Sequence, residues 1–128
     1  MNKDRIPHLF VMILFILLAA CSTERIEKVT ISKMKNYSEI VEDSSVEITD
    51  SEVISMLKNA VNGAVKRPGI VDMANPQYKV EIGQEAYFLW ISTDSGTIMN
   101  VKDTHTIFSF SNKAIKQVNE LIASKFSE

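Results

Sequence analysis

Between Tyr78 and Phe110 the hydrophobic period is two, and this run constrains the fold more than any other. Apolar and polar residues alternate, with breaks at Gly83–Gln84, Asp94–Ser95–Gly96 and Asp103–Thr104, all residue types that favour turns. The spacing predicts a four-stranded antiparallel meander. A two-residue loop at Gly83–Gln84 places Val80 opposite Tyr87, and a three-residue loop closing on Gly96 places Ile91 opposite Met99. A two-residue loop at Asp103–Thr104 then places Met99 opposite Phe108.

In that register one face gathers Tyr78, Val80, Ile82, Tyr87, Leu89, Ile91, Met99, Val101, Phe108 and Phe110 and is almost wholly apolar. The other gathers Lys79, Glu81, Ala86, Phe88, Trp90, Ser92, Ile98, Asn100, Lys102, His105 and Ile107, a polar border around a small apolar centre. The first set is expected to face the core. A slip of one residue in any strand exchanges that strand's two sets.

Two amphipathic stretches flank the meander. Val53, Ile54, Leu57, Ala60, Val61, Ala64 and Val65 recur at helical spacing, behind a start at Thr49 or Asp50 in which Thr49 and Glu52 fit a capping box. Pro68–Gly69 stops this helix, with Gly63 as an earlier possible end. Ser111 begins a second helix, with Ala114, Ile115, Val118, Leu121, Ile122 and Phe126 on its apolar stripe. Upstream, Ile26, Val29 and Ile31 alternate as in a half-buried strand, and short strands are expected at Ile40–Val41 and Val46–Ile48. The expected fold is α+β: one or two N-terminal strands, a helix, a four-stranded antiparallel meander and a C-terminal helix, both helices on one sheet face.

The front end has a different character. Lys3 and Arg5 precede an uncharged apolar run from Leu9 to Ala20, the pattern of a secretory leader. A membrane-spanning helix needs about 20 apolar residues, and here the polar sequence Ser22–Thr23–Glu24–Arg25 follows too soon. Leu18–Ala19–Ala20–Cys21 resembles the lipobox of bacterial lipoprotein precursors, whose cysteine sulfur is joined to diacylglycerol and becomes the mature N-terminus. Two acyl chains hold a protein on a bilayer where one does so only marginally. Cys21 is the only cysteine, so its modification leaves no thiol for a disulfide. The expected organisation is a removed signal peptide over residues 1–20, a lipidated cysteine and short tether over 21–25, and one domain over 26–128. Four residues between Cys21 and Ile26 reach at most about 14 Å, which holds the domain near the membrane.

Loss of Lys3, Asp4 and Arg5 with the leader changes the net charge from −2 to −3. Nucleic acid and anionic headgroups are bound through clustered Lys and Arg, so this balance disfavours both. Together with the lipobox, Gly69–Ile70–Val71–Asp72–Met73, Tyr87–Phe88–Leu89–Trp90–Ile91, Gly96–Thr97–Ile98–Met99–Asn100 and Asp103–Thr104–His105–Thr106 make the chain resemble the YhfM-like group of small Bacillus-type lipoproteins. The resemblance spans most of the mature chain. It implies an extracytoplasmic, lipid-anchored location in a Gram-positive cell and brings no catalytic residues with it.

Two candidate sites follow. Asp72, Asp103 and His105 could be imagined as a hydrolytic or metal site, but no spacing matches a zinc or calcium motif, and Asp is favoured at turns for backbone reasons alone. Phe88, Trp90, Ile98 and Ile107 fall on the sheet face where a monomer normally places polar groups, and exposed apolar clusters often mark interaction sites. Against that, the segment Tyr37–Val46 could fold over them, or the sheet could be buried on both sides. The expected function is a non-catalytic binding module at the membrane, taking a protein, peptide or envelope ligand through this face. No metal or cofactor is expected beyond the diacylglycerol on Cys21. A small envelope enzyme using Asp72 and His105, and a structural subunit of a membrane complex, are the competing classes.

Overall fold

The computed structural model describes residues 25–69 and 72–127. The leader, the lipobox and Cys21 lie outside the described residues. In chain order the elements are β1 (Val29–Lys33), β2 (Val46–Ile48), α1 (Ser51–Asn62), β3 (Val65–Arg67), β4 (Tyr78–Ile82), β5 (Glu85–Ile91), β6 (Gly96–Asn100), β7 (Ile107–Ser109) and α2 (Asn112–Phe126). The strands form one sheet in the order β2-β1-β4-β5-β6-β7-β3, with every neighbouring pair antiparallel.

The class is α+β, as expected, but the sheet is larger than a four-stranded meander. The meander β4–β7 is its centre. β1 pairs with β4 along five residues, from Val29 opposite Ile82 to Lys33 opposite Tyr78, and β2 closes that side. Ile26 lies outside β1, half-buried against the core. Of the two short strands expected downstream, Val46–Ile48 forms, whereas Ile40 makes only a single bridge to Met34.

With β2 at one edge and β3 at the other, α1 carries the chain across the width of the sheet. Six gaps of about 4.8 Å make roughly 29 Å, of which a 12-residue helix supplies about 18 Å. Thr49–Asp50 and Gly63–Ala64 can supply the rest in extended form. The helix therefore ends at Gly63, earlier than the apolar stripe suggests, with the Gly63 N–H bonded to the Asn59 carbonyl at 2.9 Å. Val65 belongs to β3 and is 64% exposed. At the other end the cap is Asp50, whose carboxylate accepts the Glu52 N–H at 2.9 Å, so the box predicted around Thr49 is not used. Ser111 caps α2 as expected, its Oγ accepting the Ala114 N–H at 3.2 Å.

Both helices cover the same face. Ile54, Leu57 and Ala60 of α1 and Ala114, Ile115, Val118, Leu121 and Ile122 of α2 join Val29, Ile31, Val80, Ile82, Leu89, Ile91 and Ile98 in one buried cluster. Burying each aliphatic side chain contributes about 1.5–3 kcal/mol before entropy is set against it. Phe126 closes the far end of α2 against Tyr78, ring centroids 5.3 Å apart, with the Lys33 ammonium 5.5 Å from the Phe126 ring centre.

The turn at Gly83–Gln84 gives the predicted register, Val80 opposite Tyr87, with Gly83 at φ 60°, where a residue without Cβ is favoured. The next two turns differ from expectation. Ile91 pairs with Gly96, so the β5–β6 loop is Ser92–Ser95, closed by a 2.8 Å bond from the Ser92 N–H to the Ser95 carbonyl. Leu89 consequently faces Ile98, and Ile98 faces Phe108 across a longer connection between Asn100 and Ile107. Met99 pairs with Phe88 on the outer face, and Asn100 pairs with Tyr87 on the inner one. The expected placements of Met99, Ile98 and Asn100 are therefore reversed.

Gly96 explains the shift. It begins β6 instead of ending the turn, at a buried point where an added Cβ would meet Phe110 at 2.7 Å, Ile91 at 3.0 Å and Ile115 at 3.3 Å. Only a residue without a side chain lets the C-terminal helix sit this close to the sheet. Gly96→Val is expected to cost about 1–3 kcal/mol through overpacking, seen as a lower urea midpoint with an unchanged slope. An unchanged midpoint would mean that α2 is free to move away.

Candidate functional site

The outer face of the sheet carries the side chains that α1 and α2 leave uncovered. Phe88 and Trp90 stand there on β5, with Met99 on β6 and Ile107 on β7. Ile98 does not. It is 2% exposed in the inner core, and Met99, also 2% exposed, occupies the place expected for it. The alternation along β5 is as expected, but the loop that follows is Ser92–Ser95, four residues in place of three, and the partner of Ile91 moves three residues, from Met99 to Gly96.

Two connections fold over this face. The β1–β2 arm turns back after Lys33, and the Met34 N–H bonds to the Gln77 carbonyl at 2.9 Å. Asn36 closes the arm's tip by accepting the N–H groups of Ser38 and Glu39 at 2.8 and 2.9 Å. Ser44 and Ser45 fasten its return to β1: Ser45 Oγ lies 2.7 Å from the buried Ser32 Oγ, and Ser44 Oγ accepts the Lys33 N–H at 3.0 Å. From the other side comes the end of the β3–β4 connection. Pro76 is buried, and Gln77 Oε1 accepts the Ile91 N–H at 2.6 Å.

Tyr37 joins the two connections. Its hydroxyl lies 3.0 Å from the Met73 carbonyl oxygen and 3.1 Å from that of Ala74, and the Trp90 Nε1–H donates to Ala74 at 3.0 Å. The Tyr37 ring meets Phe88 edge-on with centroids 5.4 Å apart and lies 6.1 Å from Trp90. Phe88 is thereby only 6% exposed and Trp90 is half-buried, while Tyr37 itself remains 37% exposed. The aromatic surface presented to solvent thus includes Tyr37, which the reading of the sheet alone did not single out. Its signal in the sequence was one aromatic residue in a turn-rich stretch.

Beside this cluster an open concavity of about 480 Å³ is lined by Tyr37, Asp72, Met73, Phe88, Met99, Val101 and Thr104. That volume lies within the range of small-ligand and side-chain pockets. Its exposed lining mixes polar and apolar surface, with Phe88 and Met99 nearly inaccessible beneath it and Met73 half-buried.

Asp72 is exposed on the rim. Asp103 lies in the β6–β7 connection, where its Oδ1 accepts the His105 N–H at 3.2 Å, the local bond of an Asx turn. His105 is exposed and does not line the concavity. Among the described residues no three His, Cys, Asp or Glu side chains gather in a way that could hold a metal ion.

Burial pushes the Tyr37 phenol above its ordinary range, and the negative charge of Asp72 adds to the effect. Burial also raises Tyr78, and burial followed by the Glu85 charge raises Tyr87. Folded pKa values above the unfolded value of about 10 mean that the native state holds these protons more tightly. Their contribution is full below that value and is lost as pH rises through the folded pKa values. An alkaline titration followed by phenolate absorbance should show all three above the unfolded chain, and Asp72→Asn should lower the Tyr37 component alone. Coincident folded and unfolded titrations would contradict the burial of the phenols, and a Tyr37 component unmoved by Asp72→Asn would contradict the proximity of Asp72.

Comparison with curated proteins gives no match, and comparison with solved structures gives none. Residues 22–128, which include every element described above, match the family described as YhfM protein, and the chain belongs to that family.

Proposed function

We propose that this is a lipid-anchored, extracytoplasmic lipoprotein whose domain acts as a non-catalytic docking module at the membrane surface, using the outer face of its sheet. The observation that carries the reading is the open concavity of about 480 Å³ on that face, beside the exposed Tyr37 ring. The local roles of Asp103 and His105 in a turn, and the exposure of Asp72, favour binding over hydrolysis at this site. The anchor is supported by Leu18–Ala19–Ala20–Cys21 behind the apolar run that starts at Leu9. The short distance from Cys21 to β1 would keep any partner near the bilayer.

Two measurements test this. Cys21→Ala should abolish incorporation of labelled fatty acid and release the protein from the membrane fraction, and retention of the label in that variant would refute the anchor. A photoreactive amino acid at Thr104, on the rim, should capture a discrete protein in intact cells, whereas the same group at the exposed Lys113 of α2 should not. Equal capture from both positions, or none from Thr104, would remove the outer face as the docking surface.

A further inference from the structure

The chain enters the domain at one end of the sheet. Ile26, half-buried, lines a cleft of about 220 Å³ with Ile82, Gly83, Gln84 and Glu85, and Val29 begins β1 opposite Ile82 and Ile48. The β6–β7 connection leaves from the same end: the Val101 N–H bonds to the Ala86 carbonyl at 3.0 Å, and Lys102 Nζ lies 3.8 Å from Glu85 Oε1. The Ser92–Ser95 turn closes the opposite end, about 20 Å away along β5. From Cys21 to Arg25 the chain spans at most about 14 Å however it is arranged, whereas a domain of about 100 residues is roughly 33 Å across. That reach is shorter than half the width. With Cys21 at the bilayer surface, the entry end therefore stays on the bilayer side of the domain's centre, and turning Ser92–Ser95 to the lipid would lift Arg25 out of reach.

The side chains of this end decide how it meets the lipid. The large apolar residues exposed among the described residues are Tyr37, Ile40 and Val65, and all three lie toward the other end, beyond Lys33 or beside Ser109. Its charges are of both signs. Lys28 pairs with Glu47 at 3.2 Å and Lys102 with Glu85, and the exposed Arg25 and Lys58 are matched by Glu27 and Asp103. Neither an apolar wedge nor a cationic patch draws this end into a membrane, so the tether alone sets the contact. We infer that the end formed by the Gly83–Gln84 turn and the β6–β7 connection is the surface that the domain turns to the bilayer, resting on the lipid headgroups without insertion. This rests on the anchor at Cys21 proposed above and specifies which surface the anchor presents to the lipid. Val101 and Thr104, which line one side of the outer-face concavity, belong to that connection, so the concavity opens beside the bilayer while Ser92–Ser95 points away.

The test uses the full-length acylated protein in phosphatidylcholine vesicles that carry a nitroxide on the headgroup. A bimane probe is placed on Gln84→Cys or on Asp94→Cys; both positions are exposed, neither has a positive φ, and with Cys21 acylated the new cysteine is the sole thiol. Quenching at Gln84→Cys should exceed that at Asp94→Cys several-fold, and should fall when the nitroxide is moved down the acyl chain. A flexible insertion of about 20 Gly and Ser residues between Glu24 and Arg25, with a mean span of about 25 Å, should abolish the difference. Equal quenching at the two positions, stronger quenching at Asp94→Cys, stronger quenching from the acyl chain, or a difference that survives the insertion would overturn the assignment. Flotation with the vesicles reads the anchor separately. Protein that does not float refutes the anchor and this orientation with it, whereas floated protein without the Gln84→Cys preference refutes the orientation alone.

Discussion

Burial of one apolar sheet face beneath two helices is the interaction on which the rest of this domain depends. With no disulfide to brace it, the domain gains its stability from packing, and the packing partners are set by topology. α1 leaves one edge strand and must deliver the chain to the other, so its apolar stripe crosses the sheet, while α2 returns over the same face. Leu89, at the middle of β5, is 1% exposed, and Val118 of α2 is equally hidden. The caps at Asp50 and Ser111 fix where each helix enters.

That arrangement also explains why the outer face has its own cover. A sheet whose central strand reads Tyr87–Phe88–Leu89–Trp90–Ile91 is apolar on both sides, and only one side has helices to hide it. The chain supplies the second cover from loops. The β1–β2 arm brings Tyr37, the β3–β4 connection brings Met73–Ala74 and Pro76, and side-chain to backbone hydrogen bonds tie them together over Trp90. Loops cover less completely than helices do, which is why Trp90 stays half-buried and Tyr37 itself is 37% exposed. Of the two covers foreseen for this face, the arm containing Tyr37 is the one observed, although most of the arm beyond it returns to the edge of β1 instead of lying across the aromatic pair.

How much was legible depended on how local the determining contacts are. The hairpin at Gly83–Gln84 was readable because two residues decide it, and Val80 faces Tyr87 as the turn requires. The β5–β6 loop is not legible locally, because Gly96 has the type of a turn residue but a steric role, set by Phe110 and Ile115, which lie 14 and 19 residues further on. The resulting shift of three residues in pairing, an odd number, puts Ile98 in the core and Met99 outside it. For the candidate site the consequence is specific: Phe88, Trp90 and Ile107 share the outer face, Ile98 does not, Tyr37 reaches the aromatic pair from a distant loop, and Asp72 lines the concavity beside it.

The sequence by itself determined the helices, the α2 cap, the first hairpin and the α+β class, because periodicity, capping and turn chemistry act over a few residues. Only the tertiary structure decided that β1 joins β4, that Val65 leaves α1 to form an edge strand, and that Tyr37 closes over Phe88 and Trp90. Each of those depends on pairing between residues far apart in the chain. There the choice among several alternating apolar segments is made by what the rest of the fold leaves uncovered, a quantity that no local pattern contains.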